Sequence, residues 1–310
     1  MINIQDELRA KAKELLKKKK VNVLIGYGSL NENDLPKPIF IREEKDVDML
    51  VWNPFCINNL GKYLLKERGK IGIVAKGCDV RSIIGLIQEH KIKRENIVIL
   101  GIRCPGIIDI RKLPDKGNAT RLHMERKNNV VMVGGKKMQF EEVCYDKCLT
   151  CKYPSPIEAD FRFGEEVKAR KENEGDSVSK LESMNIEERL KYWDARFEKC
   201  IRCTACREIC PFCYCERCIL DETIPAWVSR STDLSDTRLF HMIRFLHVAG
   251  RCVDCGECER ACPMELPLRK IVKMIEKDIK EMFDFEPGTS LEDIPVLAQY
   301  NIEDREDFIR

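Results

Sequence analysis

The chain has no long apolar run, little histidine and no surplus of charge of either sign. Its apolar stretches are a few residues long, as at Ile97–Leu100. A membrane helix needs about 20, so no membrane span is expected. Fifty-four Lys+Arg stand against 52 Asp+Glu, a net +2. The one-signed surface that draws nucleic acid is therefore missing. The first residues, MINIQDELRAKAKELL, put charges where a signal peptide has an apolar core, which points to a cytoplasmic protein. Four His are too few for regular metal co-ligands. A chain of 310 residues, 44% hydrophobic, holds about two packed domains at roughly 150 residues each.

Cysteine is abundant instead, with 17 in all, and 11 of them lie between Cys200 and Cys262. An odd number excludes complete disulfide pairing. Secreted disulfide scaffolds are also short. Reduced thiols holding metal are the better reading.

The first half alternates strand-like and helix-like segments. Residues 3–19 read as a basic helix with a solvated face. Strands are expected at Val21–Tyr27, Pro38–Arg42, Asp48–Trp52, Lys70–Ala75 and Asn96–Gly101, and helices at Asn58–Arg68 and Val80–His90. That alternation predicts an α/β layer with a partly parallel sheet. Val130–Phe140, broken by Gly134-Gly135, reads as a hairpin, and Cys144–Gly164 as irregular. A nearly all-polar stretch follows. It divides an α/β domain, residues 1–165, from a charged linker, 166–185, and a C-terminal domain, 186–310. Helices are expected there at Ile186–Phe197, Asp236–Val248 and Leu266–Phe283. The last thirty residues carry nine acidic and two basic side chains, and the first twenty carry seven basic and three acidic. Solvated termini account for both.

Two copies of one pattern carry the chemistry. Cys200-x2-Cys203-x2-Cys206-x3-Cys210-Pro211 recurs as Cys252-x2-Cys255-x2-Cys258-x3-Cys262-Pro263. This is the bacterial ferredoxin spacing for two 4Fe-4S clusters, in which the fourth Cys of each run serves the other cluster. One cluster is therefore assigned Cys200, Cys203, Cys206 and Cys262, and the other Cys252, Cys255, Cys258 and Cys210. Zinc sites show two separated CxxC pairs, not four Cys in a run with Pro after the last. A zinc-stapled scaffold without redox activity is the alternative.

The C-terminal half resembles the dicluster ferredoxin domains of anaerobic oxidoreductases, with a small α+β or helical fold. The first half resembles the beta subunits of coenzyme F420 hydrogenases and formate dehydrogenases, over residues 45–165. The matching residues are Ile71–Cys78 (IGIVAKGC), Ile97–Cys104 (IVILGIRC), and Lys147–Cys151 (KCLTC) with Ala159-Asp160 and Gly164. Cys78 and Cys104 each end an expected strand. In a parallel sheet those ends gather at one edge, where ligands bind. Cys148 and Cys151 add a two-thiolate bite. The resemblance implies that these four hold a third 4Fe-4S cluster beside a flavin; the alternative is that Cys78 and Cys104 are buried packing thiols. Cys213, Cys215 and Cys218 crowd into one short segment. With Cys56 or Cys144 they would complete a fourth cluster; zinc or plain thiols are the alternatives.

Gly26-Tyr27-Gly28 lacks the third Gly of a dinucleotide fingerprint and is expected to be a turn. His241 and His247 are six apart and are expected in core or surface roles. No Ser-His-Asp triad or carboxylate pair is legible. The expectation is an electron-transfer subunit rather than a stand-alone enzyme. The resemblance implies hydrogenase, formate dehydrogenase or heterodisulfide-reductase-type partner subunits and ferredoxin. It also implies, as an alternative, an FAD-containing subunit exchanging hydride with F420 or NAD(P)H. This sequence differs from that family in placing its ferredoxin motifs after the α/β domain. It also lacks a Gly-Gly-rich loop near Asn58-Asn59-Leu60.

Overall fold

A computed structural model describes residues 4–29, 31, 34–114, 126–127, 130–133, 136–170, 177–300 and 302. The chain divides into two compact units, residues 1–81 with 92–176, and residues 82–91 with 177–310. Among the described residues, no helix is long and apolar enough to cross a membrane.

The first unit is built on a five-stranded sheet in the order β2-β1-β3-β4-β8. The strands are β1 (Val23–Gly28), β2 (Lys37–Ile41), β3 (Ile71–Lys76), β4 (Ile97–Ile102) and β8 (Phe161–Phe163). β1, β3, β4 and β8 run parallel, and β2 closes one edge antiparallel. β1 and β3 are buried along their whole length. A parallel strand covered on both faces reads as an unbroken apolar run, which is why VLIGYG and IGIVAK are legible. Helix α1 (Ile4–Lys17) buries Leu8, Ala12, Leu15 and Leu16, one stripe at helical spacing.

Three sequence expectations need correction. Asp48–Trp52 is not a strand: Glu44–Met49 form a 3-10 helix, and Leu50 makes a single bridge to Gly28. Asp46 and Asp48 suit a helical turn better than a sheet. Gly26-Tyr27-Gly28 is no turn but the end of β1. A Cβ on Gly26 would meet Leu50, and one on Gly28 would meet Ile39. These glycines serve packing. The stretch Cys144–Gly164, expected to be irregular, contains β8. Asp160 carries that pairing: its carboxylate accepts from the Ile99 amide at 2.7 Å and from Arg94 at 3.1 Å. The region Asn58–Arg68 is helical as 3-10 helix Leu60–Lys66.

A second sheet, β5 (Arg126–Lys127), β6 (Val130–Val133) and β7 (Lys136–Gln139), is antiparallel. The short helices α3 (Phe140–Val143) and α4 (Asp146–Leu149) follow. Helix α2 (Gly77–Gln88) runs on from β3, and its residues from Ser82 onward count with the second unit.

Among its described residues the second unit is helical. It contains α5 (Ser177–Glu182), α6 (Ile186–Phe197), α7 (Ala205–Glu208), α8 (Leu234–His247), α9 (Glu257–Arg260) and α10 (Leu268–Phe283). α6 starts with a capping box: Asn185 accepts from the Glu188 amide at 2.9 Å, and Glu188 accepts from the Asn185 amide at 3.1 Å. α8 buries Thr237, Phe240, His241, Arg244 and Phe245. Within this unit Arg251 grips the Glu89 carboxylate with two nitrogens.

Candidate metal centres

The first unit brings four sequence-assigned thiols to one sheet edge. β3 and β4 pair in parallel from Ile71 opposite Ile97 to Lys76 opposite Ile102. Cys78 and Cys104 therefore leave neighbouring strand ends. The amide of Cys104 donates to Pro154 O at 2.8 Å, which draws the Cys151–Pro154 stretch to the same edge. Gly77 permits this approach, since a Cβ there would lie 1.8 Å from Tyr153 O. Cys104 is in electrostatic reach of Cys148 and Cys78, and Cys78 of Cys151. Burial pushes the Cys78 and Cys104 thiols well up, and Lys76 pulls both back. The Cys148 sulfur accepts from the Ile107 amide at 3.4 Å.

A buried charge pair that sequence reading passed over stands behind these thiols. Lys76 and Asp79 are almost wholly enclosed and meet at 2.9 Å. Lys76 also donates to Asn58 O at 2.8 Å and to Tyr27 Oη. Burial alone would lower the Lys76 pKa; Asp79 first, with Cys78 and Cys104, outweighs it, and the net shift is upward. Among the described residues, Asp79 Oδ1 is buried without a hydrogen-bond partner. Lys76 and Asp79, three apart at the β3–α2 junction, read as ordinary helix-start residues. Only their enclosure marks them.

In the second unit the duplicated pattern yields duplicated geometry. Arg202 and Thr204 have φ of 52° and 61°, and the matching Asp254 and Gly256 have 53° and 70°. Alternating left-handed residues curl a loop so that its amides point inward, a nest for anions. Strain of this kind in non-glycine residues persists where function demands it. The Asp254 amide donates to Cys252 Sγ at 3.4 Å. The fourth cysteines are served similarly, with the Leu266 amide 3.5 Å from Cys262 Sγ.

Two cavities result. One is lined by Cys200, Cys203, Cys206 and Cys262 with Phe240, His241 and Leu266. The other is lined by Cys210, Cys252, Cys255 and Cys258 with Arg244, Val248 and Arg269. Each takes three thiols from one motif and the fourth from the other. Burial raises Cys206 to about 12 and also raises Cys200, Cys252 and Cys258. Thiols held so high stay protonated unless a metal takes the proton's place.

His241 was expected in a core or surface role and is buried. It stacks on Phe197 with ring centroids 4.8 Å apart, and its Nε2 lies 3.4 Å from Cys200 Sγ. Burial, with Arg244 and Arg202, lowers its pKa to about 3. His247 is exposed.

Of the remaining thiols, Cys213 sits against Cys210, sharing a sulfur hydrogen bond that raises Cys210. Cys215 is exposed, and Cys218 is half-buried beside Arg207. Cys56 is raised to about 12 by burial and lies 3.8 Å from Val51 O. Cys144 lies 3.8 Å from Glu141 O within an apolar cluster of Phe140, Val143 and Tyr145. Both make contacts within their own turns.

The donor set suits iron–sulfur cubanes. In the second unit the eight motif thiols line two cavities, four to each, and a cubane takes its ligands at four separate irons.

Comparison with known proteins agrees. Residues 199–267 match the family model described as a 4Fe-4S dicluster domain. The F420-dependent formate dehydrogenase subunit beta of Methanocaldococcus jannaschii is 24% identical, covering 86% of this chain and 86% of that protein. The F420-dependent formate dehydrogenase 1 subunit beta of Methanococcus maripaludis is 25% identical, covering 84% of each. A solved F420-reducing [NiFe] hydrogenase complex from Methanosarcina barkeri contains a chain aligning at 14% identity and a TM-score of 0.37, over 47% of this chain and 58% of that one. The protein carries a 4Fe-4S dicluster domain at residues 199–267 and is similar, over most of its length, to the beta subunits of F420-dependent formate dehydrogenases.

Proposed function

We propose that the protein is an iron–sulfur electron-transfer subunit of an oxidoreductase complex, of the kind formed by formate dehydrogenase and hydrogenase subunits. The observation that carries this is the pair of cavities, each ringed by four cysteines drawn crosswise from two motifs. The ligands are Cys200, Cys203, Cys206 and Cys262 for one cluster, and Cys252, Cys255, Cys258 and Cys210 for the other. Cys78, Cys104, Cys148 and Cys151 hold a third. Cys213, Cys215 and Cys218 are the donors available for a fourth. The thiols anchor the clusters and the surrounding amides and charges set their potentials. The two domains and the cytoplasmic location read from the sequence belong to the same proposal.

Anaerobically purified protein is expected to carry about 8 iron per chain from the ferredoxin repeat and about 12 with the third cluster, at four iron each. Cys148→Ala is expected to remove about 4 of these and leave the ferredoxin pair reducible. Near-stoichiometric zinc with little sulfide would overturn the reading in favour of a zinc-stapled scaffold.

A second reading adds FAD and hydride exchange with F420 or NAD(P)H. The relatives are named F420-dependent, and hydride chemistry needs a flavin to split electron pairs into single electrons for iron–sulfur clusters. The sheet edge with its enclosed Lys76–Asp79 pair is the place for it. The isolated chain is expected to accept electrons from dithionite or reduced ferredoxin without F420 or NAD(P)H turnover. Extracted FAD at one per chain, with turnover surviving purification, would promote the second reading.

A further inference from the structure

The two cavities meet the surface differently. Cys203, a thiol of the first, is exposed, whereas the four thiols of the second are buried or half-buried. Ile201 and Met264 line the first cavity with Cys203 and are exposed as well. An electron arriving from solution crosses the least protein at this edge.

An open cleft adjoins the same edge and shares Met264 and Leu266 with the first cavity. Its charged lining is Arg196, Lys199 and Lys270 against the carboxylate of Glu265. Arg196, near the end of α6, lies over the Tyr192 ring at 3.3 Å and donates to Tyr192 O at 2.8 Å, which holds its guanidinium in place. Lys199 and Lys270 make no ion pair among the described residues. Two nearby carboxylates are engaged elsewhere: Asp194 accepts from Arg238 at 2.6 Å, and Glu198 lies in electrostatic reach of the same arginine. Charge is nearly balanced over the chain, at +2, so three cations against one carboxylate are a local feature. An apolar centre with a polar, charged rim is the build of a protein interface. Redox encounters use small interfaces, and charge complementarity steers their approach.

We propose that this edge, Ile201, Cys203 and Met264 flanked by Arg196, Lys199 and Lys270, is the electron port of the dicluster domain. Its partner is a one-electron carrier protein with an acidic surface around its own redox centre, which docks here and exchanges electrons with the cluster at Cys200, Cys203, Cys206 and Cys262. Each encounter moves one electron and no atoms: the carrier is oxidised by one electron as the cluster is reduced by one, or the reverse. The proposal rests on the iron–sulfur reading above and adds to it the surface and the charge of the partner.

The test is anaerobic stopped-flow reduction of the full-length chain by a reduced acidic ferredoxin, with dithionite as the small reductant for comparison. The variants are Lys199→Glu, Lys270→Glu and, as a control, Lys280→Glu, which makes the same charge change about 15 Å further along α10. Iron and sulfide are measured in each. Wild-type protein with fewer than about 8 iron per chain fails the underlying reading before any variant is needed. With iron retained, the ferredoxin rate constant is expected to fall as salt rises. Lys199→Glu and Lys270→Glu are each expected to lower it about fivefold at low ionic strength, the effect of reversing a rim charge on association. Lys280→Glu is expected to match the wild type, and all four proteins are expected to converge near about 1 M salt, where the Debye length is about 3 Å. Clusters that dithionite reduces and the ferredoxin does not would overturn the port while leaving the iron–sulfur reading standing. Equal slowing by Lys270→Glu and Lys280→Glu would also overturn it, since net charge and not this edge would then govern the encounter. So would a ferredoxin rate that ignores both salt and the Lys199 and Lys270 reversals.

Discussion

Lys76 and Asp79 show how much of the first-unit centre is not cysteine. A lysine that is 1% exposed is tolerable because Asp79 meets it and Tyr27 and Asn58 accept its remaining protons. Removing one partner of such a pair strands the other and costs about 3–5 kcal/mol. Lys76→Met is expected to destabilise the chain by that amount, read by anaerobic urea denaturation. An unchanged midpoint would mean that Asp79 finds a proton or a new partner without strain. At this scale the sequence was legible where residue type alone defines chemistry. Cysteines at ferredoxin spacing announce themselves. Lys76, His241 and Arg244 do not, because burial is what turns an ordinary side chain into an electrostatic element, and burial comes from residues distant in the chain.

Among the elements, the junction of β3 and α2 is the most constrained. Gly77 lies under Tyr153 O so closely that a methyl group would overlap it. Backbone cannot swing aside as a long side chain can. Gly77→Ala is expected to cost more than about 2 kcal/mol, in the range of overpacking, and to deplete iron from the Cys78 centre while leaving the ferredoxin pair reducible. Iron analysis with EPR of the variant checks both. The strands and long helices were legible because their periods are strong: β1, β3 and β4 are apolar throughout, and α6 has a capping box. β8 was missed because it is three residues long and is held by Asp160, a side chain outside the strand pattern. Asp48–Trp52 was misread because its apolar residues pack from a 3-10 turn beside β1.

For the whole molecule, composition indicates two halves, and similarity to formate dehydrogenase beta subunits runs across both. The compact division is less simple than a cut in the charged stretch, since residues 82–91 count with the second unit. A Cβ on Gly85 would lie 2.7 Å from the Phe212 ring, and Gln88 donates to Ser290 O at 2.8 Å. A boundary drawn from composition has no means of anticipating this, because those ten residues read as the ordinary second half of a helix. The parallel sheet was predictable from strand–helix alternation. The pairing of β4 with β8 across some sixty residues depends on three-dimensional closure.

The crossed supply of thiols also makes the second unit a closed circuit. On the proposed ligand assignment, the motifs on either side of the segment from Cys210 to Cys252, with α8 inside it, each supply both clusters, so the metal bonds would act as a cross-link does on a long loop. Ile224 is 91% exposed and Trp227 63%, so a protease site introduced between Glu222 and Ser231 is open to cleavage. The two pieces then each carry ligands of both clusters. They are expected to remain joined in mild denaturant while the iron is in place and to part once it is oxidised or chelated. Pieces that separate with both clusters intact would show that each motif closes on itself. The intact behaviour would make the chain mechanically continuous through inorganic bonds where its peptide backbone has been cut.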